Sequence, residues 1–164
     1  MKPTTSCQAI VSDSCFALAV HCTEDEVLTL RYLTPRPALE PANPLAAEVV
    51  RQVRCWIADP RFEFGLPLQI QGTLFQRRVR HGIAAIPFGQ VLSYGELARR
   101  LHSGPRAVGG ACGANPFPLV IPCHRIVSST GLGGFGGVGD ADAPPDFLLD
   151  VKRWLLAREG HDGY

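Results

Sequence analysis

The sequence predicts an α+β protein in two parts, residues 1–71 and 72–164. Three observations carry this reading. Apolar-rich runs before residue 40 have strand length, whereas later segments repeat apolar residues at helical spacing. Capping boxes mark two helix starts in the second part. Prolines cluster between the periodic segments, as breakers do. With 46% hydrophobic and 19% charged residues over 164 positions, the chain can bury a core and is not disordered.

Taken in order, Phe16 to His21 and Val27 to Leu33 form a hairpin or meander around Thr23-Glu-Asp-Glu. Four prolines between Pro35 and Pro44 make a loop. Leu45, Val49, Val53, Trp56 and Ile57 give an amphipathic helix that Asp59-Pro60 ends. Leu66 to Ile70 is read as a further short strand. Thr73, with Gln76 three residues on, caps a helix through Phe75, Val79 and Ile83 to Ile86. Ser93 and Glu96 cap the next one, which carries Leu97 and Leu101 on one face. After the Ser103-Gly-Pro turn, Arg106 to Ala114 is a third helix, so a helix-turn-helix is expected. Gly109 and Gly110 cost that helix about 1 kcal/mol each. Such a loss points to close approach of another helix or of a nucleic-acid backbone.

Leu119 to Val127 is read as a buried strand, with Cys123 and His124 inside it. Six glycines lie between Gly131 and Gly139, in a loop whose backbone can approach a ligand. It lacks the lysine of a phosphate-binding loop. Asp140 to Pro145 is read as an exposed excursion, and Phe147 to Glu159 as a helix with Leu148, Val151, Trp154 and Leu155 inward.

Charge is uneven along the chain. Up to Gln71 there are six basic and eight acidic residues; from Gly72 to Gly139 there are seven arginines and one acid, Glu96; the remainder has three basic and six acidic residues. A basic middle suits a polyanion partner and equally a solvated arginine face. The run Cys15–Val20 is six residues, against about twenty for a membrane span, and Asp13 interrupts the place of a signal-peptide core. No membrane partner and a cytoplasmic location are therefore expected. The cysteines at 7, 15, 22, 55, 112 and 123 include no CxxC pair and read as reduced thiols. Cys7, Cys15, His21 and Cys22 match no standard zinc spacing, so no metal is expected, and Cys55 reads as core packing.

Cys123 followed by His124 has two readings. A base close to a cysteine can generate the thiolate that a nucleophile needs, with Glu159 available to orient the histidine. An inert core cysteine beside a packed histidine has the same sequence. The wider pattern favours the first. Ile-Pro-Cys-His-Arg-Ile-Val at 121–127 resembles the active-site motif of the O6-alkylguanine-DNA alkyltransferases. Segments 72–79, 86–89, 93–98, 106–111, 115–116, 133–137 and 152–160 resemble the same family in the same order, covering most of 72–160.

The resemblance implies a ribonuclease-H-like N-terminal domain without activity and a winged-helix-like C-terminal domain carrying the helix-turn-helix. It implies direct-reversal DNA repair: one stoichiometric, irreversible transfer of the alkyl group from O6-alkylguanine, with O4-alkylthymine as a further substrate, to Cys123. No cofactor and no metal are implied. His124 would act as base through water, polarised by Glu159. Tyr94 would help turn the nucleotide out of the stack, and Arg106 would fill its place. Ala107, Gly110 and Ser129 would meet the DNA. Asn115 would be a hinge, and Ile126, Phe135, Gly136 and Gly137 would line the base pocket. The partner would be double-stranded DNA bound by a monomer. The sequence departs from the family where Arg80 replaces a frequent tryptophan, Phe135 a tyrosine found in some members, and Gly113 a basic residue found in others. Residues 138–150 also form a longer link than usual. The alternative is a non-catalytic lesion-recognising DNA-binding protein, a class that lacks the acceptor cysteine.

Overall fold

The computed structural model describes residues 6–136 and 139–164. It is α+β and divides into two compact units. One runs to Ile70 and adds Gly139–Ala143; the other begins at Gln71 and includes Pro144–Tyr164.

In the first unit, β1 (Ala9–Ser12), β2 (Ala17–Cys22) and β3 (Val27–Leu33) form an antiparallel sheet in that order. Ala9 pairs with Val20 and Leu18 with Tyr32. The sequence reading contains the β2–β3 hairpin but not β1, which is four residues long. Helix α1 (Pro44–Ala58) packs on β1 and β2 through a face that includes Val49, Val53 and Trp56. Asn43 caps it by accepting from the Ala46 N–H at 2.8 Å, and Pro44 occupies the first turn, where no N–H is needed.

Two expectations are corrected here. Leu66–Ile70 is not a strand: Leu68 makes a single parallel bridge to Val27, through Val27 N–H to Pro67 O and Gln69 N–H to Val27 O. Nor is 140–145 wholly an exposed excursion. Arg31 donates to Gly139 O at 3.0 Å, and the Asp140 carboxylate accepts from Thr34 Oγ1 and pairs with Arg36. Three polar partners on and after β3 thus recruit this acidic stretch.

The second unit holds α2 (Leu74–Ala84), β4 (Leu92–Ser93), α3 (Tyr94–Arg100), α4 (Pro105–Gly113), β5 (Ile126–Val127) and α5 (Phe147–Arg158). Both capping boxes form: Thr73 with Gln76, and Ser93 with Glu96. Each satisfies two N–H groups that a helix start otherwise leaves bare. Val79, Ile83, Leu97, Val108 and Ala111 close the core between α2, α3 and α4. Arg80, at the frequent tryptophan position, is buried and donates to Gln71 O within the same unit.

The segment 119–127 is not one strand. Leu119 adopts a left-handed φ of 73°, Cys123–Arg125 is a single 3-10 turn, and only Ile126–Val127 pairs, in parallel with β4. Prolines at 116, 118 and 122 each remove an N–H from any ladder, which explains why an apolar run folds as a turn. Helix α5 is also phased differently. Its buried face is Phe147, Val151, Lys152, Leu155 and Leu156, with Leu148 and Trp154 half-exposed.

Candidate active site

Asn115 organises the turn that delivers the cysteine. Its Nδ2 donates to Ile121 O and its Oδ1 accepts from Phe117 N–H, both at 3.0 Å. One buried side chain thus ties the end of α4 to the residues just before Pro122. The 3-10 turn then presents Cys123 at 5% exposure, on the floor of a cleft of about 650 Å³. Tyr94, Arg106, Gly109, Cys112, Phe135 and Gly136 line the same cleft.

Burial pushes the Cys123 thiol up, while the Asn115 side chain, the Lys152 ammonium and nearby backbone N–H groups pull it back part of the way. The Cys112 thiol, in the same cleft, is pushed up to about 12, chiefly by burial. Burial likewise moves the Tyr94 hydroxyl to about 12, so it keeps its proton. That hydroxyl donates to Gly134 O at 3.0 Å.

Behind the cysteine lies a buried polar cluster of His124, Arg125 and Glu159. His124 Nε2 and Glu159 Oε1 are 3.0 Å apart, and neither side chain is exposed. Arg125 forks onto the same carboxylate, Nε to Oε2 and Nη2 to Oε1, each at 2.9 Å. Its Nη1 donates to Ile86 O at 2.6 Å. Burial alone raises the Glu159 carboxyl, but hydrogen bonds from His124 and Arg125 outweigh it and hold the group at about 2. Burial lowers the histidine, against the pull of Glu159, so the ring is neutral.

The structure therefore gathers Cys123, Tyr94, Arg106, Phe135 and Gly136 at one cleft and sets His124 and Glu159 in the wall beneath. Ile126 is fully buried in the core and is not among the residues lining the cleft; its carbonyl accepts from Lys152. Ala107 and Gly110 lie on the exposed face of α4. Ser129 is exposed and lines a separate cleft with Ser93, Arg99 and Ser128, which Tyr94 also borders. Gly137 falls outside the described residues. Among the described residues no His, Cys, Asp and Glu side chains gather in a group able to hold a metal, and all six cysteines are free thiols.

The sequence reading missed Lys152. It has no exposure, and its ammonium donates to Ile126 O, Leu132 O and Gly134 O at 2.7, 2.8 and 2.7 Å. It stands 5.9 Å from the Tyr94 ring centre and 5.7 Å from that of Phe135. Burial brings it down to about 8, so it is charged at neutral pH. The signal was present: Lys152 precedes Leu155, Leu156 and Glu159 by three, four and seven residues, the spacing of a single helix face.

Two glycines let the loop close over the site. Gly133 has φ 71°, and a Cβ there would fall 2.8 Å from Ser128 N and 3.1 Å from the Tyr94 ring. A Cβ on Gly136 would fall 2.6 Å from Gly113 Cα, a backbone atom that cannot yield as a side chain would. Gly136→Ala is expected to force the loop off α4, costing about 1–3 kcal/mol in a denaturant titration and slowing the reaction of the site. Gly131→Ala, which meets nothing within 4 Å, should leave stability unchanged. Equal melting of the two variants would contradict the loop–helix contact as a constraint.

Comparison with known proteins agrees with this geometry. Residues 74–161 match the model of the 6-O-methylguanine DNA methyltransferase DNA-binding domain. The chain is 38% identical over 115 residues to a methylated-DNA–protein-cysteine methyltransferase of Archaeoglobus fulgidus, covering 70% of this chain and 75% of the relative. It is 40% identical over 121 residues to the protein of the same name from Mycolicibacterium paratuberculosis, covering 71% and 67%. Its fold matches the crystal structure of Mycobacterium tuberculosis OGT in complex with DNA, with TM-score 0.75 and 30% identity over 92% of this chain and 90% of that one. The chain belongs to the 6-O-methylguanine DNA methyltransferase family. No helix among its described residues is long and apolar enough to cross a membrane.

Proposed function

We propose that this protein repairs DNA by direct reversal, moving the alkyl group of O6-alkylguanine in a duplex onto Cys123, with O4-alkylthymine as a second substrate. The observation that carries this is one cleft bordered by a cysteine, a protonated tyrosine and an arginine at the start of a helix-turn-helix helix, with a neutral histidine in the wall behind.

The chemistry follows from these groups. An alkylated base is buried in the stack, so it must be turned out, at a cost of a few kcal/mol. Exposed Arg106 fills the gap it leaves, and the small faces of Ala107 and Gly110 let α4 come close to the DNA. Ser129 holds the backbone alongside. In the cleft the base lies against Phe135 and the backbone at Gly136. His124 takes the Cys123 proton through a bridging water, and the sulfur attacks the alkyl carbon. A sulfur–carbon bond forms as the carbon–oxygen bond breaks. The electron pair left on guanine draws a proton from the Tyr94 hydroxyl, which exchanges its Gly134 acceptor for the base. Proton return from His124 to Tyr94 balances the step. The thioether has no easy hydrolysis route, so one transfer consumes the protein. The protein is read as a monomer of the cytoplasm. The first unit is read as the ribonuclease-H-like domain, without activity of its own.

The test is to incubate the protein with duplex DNA carrying O6-methylguanine and weigh the intact protein. One added methyl group per chain, mapped to Cys123, supports the reading; an unchanged mass with retained duplex binding points to a lesion-recognising protein instead. A second outcome is specific to base flipping. Arg106→Ala should slow repair of duplex by about tenfold or more, the worth of 1–2 kcal/mol of flipping, and leave reaction with the free base nearly unchanged. Arg106→Lys should restore only part, since lysine lacks the planar fork. Equal losses on both substrates would reassign Arg106 to a structural role.

A further inference from the structure

We propose that Arg125 is a positioning residue that keeps His124 a neutral imidazole by occupying both oxygens of Glu159. The inference rests on the reading of His124 as the base. It assigns a task to the one charged side chain of the buried cluster that the transfer chemistry leaves unused.

The geometry separates two ways in which a carboxylate can serve a histidine. An otherwise unpaired buried carboxylate holds an imidazolium as its counter-ion. A carboxylate already neutralised by a guanidinium fork only orients the ring. Glu159 is in the second situation. Arg125 reaches Oε2 through Nε and Oε1 through Nη2, both at 2.9 Å, and His124 shares Oε1 at 3.0 Å. The fork is fixed by its third arm, Nη1 to Ile86 O at 2.6 Å. The ring must then donate Nε2–H to Oε1, which makes Nδ1 the acceptor nitrogen of the ring.

The charges around the ring agree. Lys152 faces it from α5 and Glu159 from that helix's C-cap, and Arg125 and Cys123 lie beside it on its own turn; α2, with Arg77, Arg78, Arg80 and His81, also packs on this turn. Two cations and one anion therefore surround a ring that has no exposure. A third positive charge there would be uncompensated and out of reach of water. A neutral ring is what a base needs before it accepts a proton, so the clamp supplies the correct resting state. The same argument explains why Glu159 can be fully ionised at neutral pH without turning His124 into a permanent cation.

Titration of the His124 ring by nitrogen NMR tests this on the full chain, with the pH dependence of methyl transfer followed alongside. In the parent protein the ring should stay neutral through the range in which a free imidazole gains its proton, with its own proton on Nε2. Arg125→Gln removes the charge and keeps a donor. Its ring should gain a proton within the neutral range, and transfer at about pH 6 should fall roughly tenfold relative to about pH 8. Arg125→Lys restores a cation and should return the ring to neutrality and the rate to a flat profile. A parent ring that is protonated at neutral pH overturns the proposal. So does a folded Arg125→Gln with the parent's titration, or an Arg125→Lys ring that is cationic. Should Arg125→Gln not fold, the parent and Arg125→Lys spectra decide alone. Failure of the parent to accept a methyl group would count against the Cys123 reading and leave the ring titration as informative as before.

Discussion

Replacing Cys123 by serine should abolish alkyl transfer and leave duplex binding within about twofold of the parent. The substitution is nearly isosteric at a site with 5% exposure, so the fold has no reason to change. What changes is the atom. A serine hydroxyl beside a neutral histidine with a lowered proton affinity does not ionise usefully, and oxygen is a harder nucleophile toward an alkyl carbon. The groups assigned to DNA, Arg106 and the outer face of α4, lie on a separate element. Mass spectrometry of the intact protein and a binding titration check the two halves of this expectation. A methylated serine variant, or an adduct on Cys112 in the parent, would refute it.

Lys152→Met should be the most damaging substitution outside the cysteine. It keeps an unbranched apolar stem and removes the donors to Ile126 O, Leu132 O and Gly134 O. Leaving such carbonyls unpaired costs about 2–4 kcal/mol in total, offset in part by no longer burying a charge. The functional loss should exceed the loss of stability. Gly134 O also receives the Tyr94 hydroxyl, so the loop and the tyrosine would both lose their fixed positions. The charge that helps offset burial of the Cys123 thiol goes as well. Chemical denaturation and the rate of methyl transfer, measured below the parent's melting range, separate these effects. A variant with normal rate and reduced stability would confine Lys152 to the scaffold.

The folded lysine lies below its ordinary value, at about 8. Between about 8 and 10.5 the unfolded chain therefore binds the proton more tightly. Lys152 should accordingly make stability rise with pH through that window, and Lys152→Met should flatten the rise.

Local sequence chemistry was easy to read where it is satisfied locally. Thr73 with Gln76 and Ser93 with Glu96 need only their own helices, and both boxes form as the spacing predicts. The β2–β3 hairpin and α1 follow from period and turn residues in the same way. The failures share a cause, which is that a distant partner decides. Leu119 to Val127 is the exception: Pro122, the prolines at 116 and 118 just before it, and the nearby Asn115 staple make it a turn despite its strand composition. Lys152 shares a helix face with Leu155 and Leu156, but what its ammonium meets there is set by carbonyls of a separate loop. The fork of Arg125 onto Glu159 joins residues 34 apart and has no local signature at all. The family resemblance pointed to Cys123, His124, Tyr94 and Glu159 but not to the Arg125 fork or to Lys152.

The recruitment of Gly139–Ala143 by the first unit has a consequence for how the chain can be divided. That unit is encoded by two separated stretches, so its amino-terminal portion is an incomplete folding template. A fragment ending at residue 71 would leave Arg31 without its Gly139 acceptor, and Thr34 and Arg36 without the Asp140 carboxylate. Splitting the gene there would yield two halves that behave as a complementation pair, with the late segment returning to β3 in trans as the condition for reassembly.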